Sequence, residues 1–288
     1  ERWRGPTHFR INGNFDSSGV VVLKGLQPNT RYEHQAGFVD DIDLPDEQLD
    51  WQAMHKGHFR TAPRDHKQPV SFLFGSCCYR FVGTDHEIED TRADRIFSVM
   101  AENAAAERTD FVLFGGDQVY ADATWKVAAA SSQQQYFDLY RQSFGQPHIR
   151  RLMSDYNQHM ILDDHEIENN WPARANADLW TSKYPAAMKA YQIYQASHSP
   201  ASSVPLFPEQ RWPFRGEDAW EGFRAQRQRL LDAIRDSGCR RLLVLSGDVH
   251  ASLYARLERR NQAPVHAWIC SGLFWPTALM AFRWYRPM

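Results

Sequence analysis

Up to about residue 63 the apolar positions follow no helical period, and beyond it short apolar runs alternate with helical stripes. The first region reads as strands and turns: GVVVLKGL (19–26), the polar break QPNT, RYEHQAGFV (31–39) and GHFRTAP (57–63). After the polar, proline-flanked PRDHKQP, the strand VSFLFGSCC (70–78) precedes TRADRIFSVMAENAAAER (91–108). There Ile96, Val99, Met100 and the pair Asn103 and Ala104 recur at helical spacing behind a cap at Asp90 or Thr91. A second strand opens FVLFGGDQVYAD (111–122), and QQQYFDLYRQSF (133–144) carries Tyr136, Tyr140 and Phe144 four apart on one stripe, read as core. QHMIL (158–162) is a third strand and LWTSKYPAAMKAYQIYQAS (179–197) a helix. EDAWEGFRAQRQRLLDAIRDSG (217–238) is a long amphipathic helix closed by a C-capping glycine, and RRLLVLSG (240–247) is a fourth strand. Strands alternating with helices predict α/β layering.

Composition narrows the classes without choosing one. The 288 residues suffice for one large domain or two unequal ones, and two are expected here, 1–64 and 65–288. Hydrophobic content of 43% with 24% charged residues is that of an ordinary globular protein, and no apolar run approaches the roughly 20 residues of a membrane span. A formal charge of −2 gives no broad basic field, so nucleic-acid binding is not the main role. Four cysteines cannot staple a chain of this size, and the adjacent Cys77 and Cys78 do not pair with each other. No charged and apolar leader opens the sequence.

Candidate chemistry collects where the strands end. The first runs into Cys77, the second into Asp117 and Tyr120, the third into Asp163, Asp164, His165, Asn169 and Asn170, and the fourth into Asp248 and His250. In layered α/β proteins ligands sit beyond the carboxyl ends of strands, so four such ends can converge on one place. A lone Gly-Asp after a strand is usually a turn, but the fourfold recurrence makes coincidence a strained explanation. Two cations about 3.5 to 4 Å apart clamp a phosphate and lower the pKa of a bridging water. Asp117 is the candidate bridging carboxylate, and Tyr120 as a phenolate points to a trivalent ion, Fe(III). His250 and Cys77 complete that first site. Asp117, Asp164 and Asp248, with Asn169 or Asn170 as extra oxygen donors, form a second site suited to Ca2+, Mn2+ or Mg2+ rather than Zn2+. Arg80, Arg174 and Lys183 are cations near these motifs that can hold a distal phosphate.

These motifs resemble the calcineurin-like metallophosphoesterases, and within them the alkaline phosphatase D (PhoD-like) group. Asp117, Tyr120, Ala121 and Asp122 are similar to the GDxxYAD of purple acid phosphatases, whose aspartate bridges and whose tyrosine binds ferric iron. Asp164-His165-Glu166 stands where the superfamily has Asn-His-Glu, and Gly247-Asp248-Val249-His250 where it has Gly-His-x-His. Cys77 replaces a metal-binding aspartate.

The resemblance implies a four-layer metallophosphoesterase β-sandwich flanked by helices, with iron beside calcium and a small β domain in front. Leu26, Pro28, Thr30 and Tyr32 resemble the tyrosine corner of fibronectin-like domains, which a partial N-terminal domain would fit. It further implies phosphate-ester hydrolysis by a metal-bridging hydroxide, with His165, held by Glu166 or Asp163, assisting the leaving group. A periplasmic or secreted location follows from the resemblance alone. A strand–helix–strand unit of the family is expected to be missing near residue 200, and no histidine stands at Val204 or Pro205 to tighten the second site. A phospholipase D-type diesterase, or a metal-binding adhesion module without turnover, are the alternatives.

Overall fold

The structure is a computed structural model that describes residues 4–41, 43–65, 67–80, 92–122, 129–172, 175–197, 224–239, 242–248, 252–259, 262–270 and 272–273. The expected caps Asp90 and Thr91, the first turns of the long helix and the join near residue 200 lie outside these residues. A parallel sheet places β4 (Phe111–Phe114) between β3 (Phe72–Gly75) and β5 (Asn157–Met160), with Phe72 opposite Phe111 and Phe111 opposite Asn157. Parallel neighbours need crossovers. Here α1 (Arg92–Ala106) links β3 to β4, and α2 (Gln133–Phe144) with α3 (Pro147–Asp155) link β4 to β5. Val112, Phe114 and Met160 of the sheet pack on Phe97 and Met100 of α1 and on Ile149 and Leu152 of α3. The α3 start is fixed from α1: Asp94 accepts from the backbone N–H groups of His148 at 2.8 Å and Ile149 at 3.0 Å, so a carboxylate caps the positive helix end.

A second sheet holds β6 (Leu242–Ser246) parallel to β8 (Gln262–Ile269), with β7 (Leu253–Arg259) antiparallel on the far side of β8. Val265 and Ala267 bury with Leu231 and Ile234 of α6 (Arg224–Asp236). The two sheets meet at the tips of their strands. Leu273 N–H donates to Ser76 O at 2.8 Å and Ser76 Oγ donates to Cys270 O at 3.2 Å. Gly247 is required at this join: a Cβ there would lie 2.4 Å from Gly115 O and 2.6 Å from Ser76 Oγ.

Between β5 and α6 lie α4 (Ala177–Thr181), α5 (Lys183–Tyr191) and a π-helical turn, Gln192–Ala196. One continuous helix was expected over 179–197, and it breaks at Ser182, whose φ of −105° and ψ of −66° leave the helical line. Pro185 lies in the first turn of α5, where its missing N–H costs nothing.

At the N-terminal end β1 (Arg31–Ala36) pairs antiparallel with β2 (His55–Arg60). The expected tyrosine latch is present, with Gln27 N–H donating to Tyr32 Oη at 2.8 Å. The strand expected over 19–26 does not form; Val20 and Val22 are exposed, and the Arg4 guanidinium takes the carbonyls of Lys24 and Gly25 that a neighbouring strand would have used. This segment packs on the larger unit through Asn157 Nδ2, which donates to Arg60 O at 2.7 Å, and through Asp16, which receives Arg141 and the Tyr194 hydroxyl.

Candidate metal centre

Cys77, Asp117 and Asp248 each follow their strands, β3, β4 and β6, by two or three residues, and each has a positive φ, 57°, 54° and 67°. Left-handed backbone at a residue with a Cβ is strained by roughly 1–3 kcal/mol and collects at functional turns. Here it re-aims the chain immediately beyond each strand. Gly116, at φ 99°, is needed for a second reason: a Cβ would come within 2.3 Å of Asp163 Cβ.

The strand tips bring acidic groups together. One ligand atom from each of Asp117, Asp163, Asp164 and Asp248 lies within 4.8 Å of the others, and Asp117, Asp164 and His165 form an overlapping group of the same tightness. Asp117 is fully buried. Burial, and then the neighbouring carboxylates of Asp164, Glu166 and Asp248, push its pKa well above the usual range, with His165 opposing; Asp163 is raised by burial and then by Asp117 and Asp248. Asp117 Oδ1 and Asp163 Oδ2 are buried with no hydrogen-bond partner among the described residues. Unsatisfied, mutually repelling carboxylate oxygens are what a hard cation relieves, so this oxygen-rich set fits a divalent or trivalent ion.

Glu166 holds the loops that carry these acids. Its Oε2 accepts from the backbone N–H groups of Asp117 at 3.1 Å and Asp163 at 3.0 Å, and its Oε1 from that of Gln118 at 2.7 Å. It therefore splices the β4 tip to the β5 tip. The imidazole of His165 was expected to lean on Glu166 or Asp163; the structure corrects this, since Nδ1 sits 2.9 Å from Asp122 Oδ2. Burial lowers the His165 pKa, but Asp117, Asp122 and Asp164 outweigh it and bring it up to about 10.

Tyr120 is buried beside them, its ring centroid 4.3 Å from that of His165 and its hydroxyl donating to Asp117 Oδ2 at 3.2 Å. Burial, followed by the charge of Asp117, pushes its phenol well up, so only a strong Lewis acid would deprotonate it. The Cys77 thiol, also raised by burial and then by Asp117, belongs to neither tight group and lies 3.2 Å from Ser76 Oγ.

Asn169 and Asn170 join the centre through their backbones: Asn169 N–H donates to Asp122 Oδ2 at 2.9 Å and Asn170 N–H to Asp164 Oδ2. Lys183 pairs with Glu168. Arg80 is buried behind Cys77 and Asp117, donating from Nη1 to Ser143 O at 2.9 Å with its guanidinium over the Phe97 ring. In these contacts neither cation reaches the acidic cluster. His250 and Arg174 lie outside the described residues.

Two residues named from the sequence take roles it did not assign. Asp163, read at the third strand end but given to neither ion, lies within the acidic group, and Asp122, read only as part of a motif, meets His165 across a separation of 43 residues that no local pattern reveals.

Residues 76–212 and 195–272 match the sequence model of a family described as PhoD-like phosphatase. A solved structure described as "Structure of PhoD" is similar in fold, with a TM-score of 0.63 at 17% identity over 91% of this chain and 66% of that one. The chain thus spans 66% of the length of that protein, and at such identity the likeness shows fold alone. No curated protein was found to be similar in sequence. No helix among the described residues is long and apolar enough to cross a membrane. With well over half of its length matched, and acidic groups gathered at its strand tips, the chain belongs to the PhoD-like phosphatase family.

Proposed function

We propose that the chain hydrolyses phosphate esters at a centre built for two cations. Cys77, Asp117, Tyr120 and His250 would hold Fe(III), and Asp117, Asp164 and Asp248 would hold Ca2+, Mn2+ or Mg2+, with Asp163 and the Asn169–Asn170 turn beside them. The observation that carries the reading is the convergence of Asp117, Asp163, Asp164 and Asp248 within 4.8 Å from three separate strand ends. When bound, such cations supply Lewis acidity, which neutralises phosphoryl charge and lowers the pKa of water.

The remaining work falls to the side chains. Glu166 fixes the spacing between the two acidic loops through three backbone amides. Asp122 engages His165 Nδ1, which leaves Nε2 to hold a proton toward the departing ester oxygen. Tyr120 packs on the imidazole and restricts its rotation. We read residues 1–64 as a packing module and 65–288 as the catalytic unit with a two-sheet sandwich, a division supported by the strand order and by the Tyr32 latch.

The test pairs elemental analysis of protein purified without added metal with assays on a chromogenic phosphomonoester and diester. His165→Ala should keep its metal content and lose roughly 10²- to 10⁴-fold in kcat. Hydrolysis by His165→Ala as fast as the parent would remove His165 from the mechanism, and metal-free parent protein with full activity would remove the centre.

A further inference from the structure

Gln195 stands out among the groups this mechanism leaves unused. It is fully buried, it sits in the π-helical turn Gln192–Ala196, and its Oε1 has no hydrogen-bond partner among the described residues. Each of these features is unfavourable: a π turn departs from regular helix geometry, and an orphaned buried carbonyl oxygen has lost its water for nothing. A methionine of similar length would fill the same space among Tyr140 and its neighbours without the orphaned oxygen.

The other end of the amide explains why a glutamine is there. Its Nε2 donates to Glu166 Oε1 at 3.2 Å and to Tyr140 Oη at 2.9 Å, so both N–H bonds are used. The amide cannot be reversed, because Oε1 would then face a carboxylate. Glu166 already holds the amides of Asp117, Gln118 and Asp163, and Gln195 is its fourth donor and the one that comes from the helical layer. The π turn widens the helix by one residue at the point where the Gln195 side chain must reach inward. We infer that Gln195 is a positioning residue for the metal centre: by fixing the Glu166 carboxylate between Tyr140 and the two acidic loops, it sets the spacing of Asp117, Asp163 and Asp164.

This inference rests on the metal-centre reading, and its test separates the two. Gln195→Met is compared with the parent by titration with Mn2+, free ion being read by electron paramagnetic resonance, and by thermal melting in EDTA. A positioning role predicts Mn2+ affinity weakened several-fold, up to roughly the tenfold that losing a ligand's direct partner costs, since Gln195 acts on the ligand loops through Glu166, with a metal-free melting temperature at or above that of the parent. A merely structural role predicts the reverse, a lower melting temperature with unchanged affinity, and that result overturns the inference. Should Gln195→Met fail to fold, Tyr140→Phe releases one of the two Nε2 contacts without touching Glu166. Weaker Mn2+ binding by Tyr140→Phe supports the inference and parental binding overturns it. Failure of the parent itself to take up Mn2+ overturns the metal-centre reading as well.

Discussion

Gly247→Ala is the sharpest perturbation of the join between the sheets. Gly247 is buried where the β6 tip crosses the tips of β3 and β4, and its φ lies outside the left-handed region, so alanine meets no backbone penalty and the effect is contact alone. The new Cβ would stand 2.4 Å from Gly115 O, 2.6 Å from Ser76 Oγ and 2.8 Å from Ser76 Cβ, whereas ordinary contact begins near 3.4 Å. Ser76 Oγ could rotate away, but Ser76 Cβ is fixed by its own backbone and Gly115 O is backbone in the loop that carries Asp117. The β6 tip must therefore retreat by about 1 Å, taking Asp248 with it, several times the ~0.2 Å within which ligand distances are held. Overpacking of this kind costs about 1–3 kcal/mol, and each kcal/mol lowers the melting temperature of a large domain by about 2–4 °C. Melting in EDTA isolates that steric cost. Titration with Mn2+ then reads the displaced ligand, with affinity expected to fall at least roughly tenfold. A variant that melts with the parent and binds Mn2+ equally well would refute both the tight join and the place of Asp248 in the cluster.

Asp122→Asn should lower the His165 pKa from about 10 in metal-free protein, since the carboxylate hydrogen bond is one of the charges that raise it; imidazole NMR shifts followed through a pH series would show this, and an unmoved midpoint would exclude the pairing. Acid should weaken the packing of the N-terminal strands. His34 and His58 both have pKa values lowered from 6.5, chiefly by burial, so their contribution is complete above about pH 6.5 and is lost as pH falls through the lowered folded values. Urea midpoints at about pH 7.5 and 5.5 should differ less in a His34→Gln/His58→Gln variant than in the parent. Equal differences in the two proteins would show that other groups carry the acid sensitivity.

The strands that build the site were legible because each is a brief run, stopped by glycine or serine in β3, β4 and β6 and by the Asp163-Asp164 doublet after β5, with an acid or thiol just beyond. Asp117, Asp164, His165 and Asp248 were therefore readable in the sequence. The β7–β8 pair was not, although Leu253, Ala255 and Leu257 alternate inward as a half-buried strand does, because charged residues separate the apolar ones and the eye is drawn to the unbroken run in β6. The error over 19–26 has the opposite cause: four consecutive apolar residues have high strand propensity, yet Arg4 satisfies their flanking carbonyls and the run stays on the surface. The break at Ser182 and the π turn at Gln192–Ala196 also escaped the pattern, since the apolar period continues across both while side-chain hydrogen bonds decide the backbone. Asp122 and Glu166 act through contacts that close only when β4 and β5 lie side by side.

Anomalous diffraction from crystals of protein purified without chelator tests the central claim most directly. Two peaks flanking Asp117, one also reached by Tyr120 and the other by Asp164 and Asp248, are the result predicted. Maps with no peak in contact with Asp117, from crystals whose solution activity is intact, would contradict it.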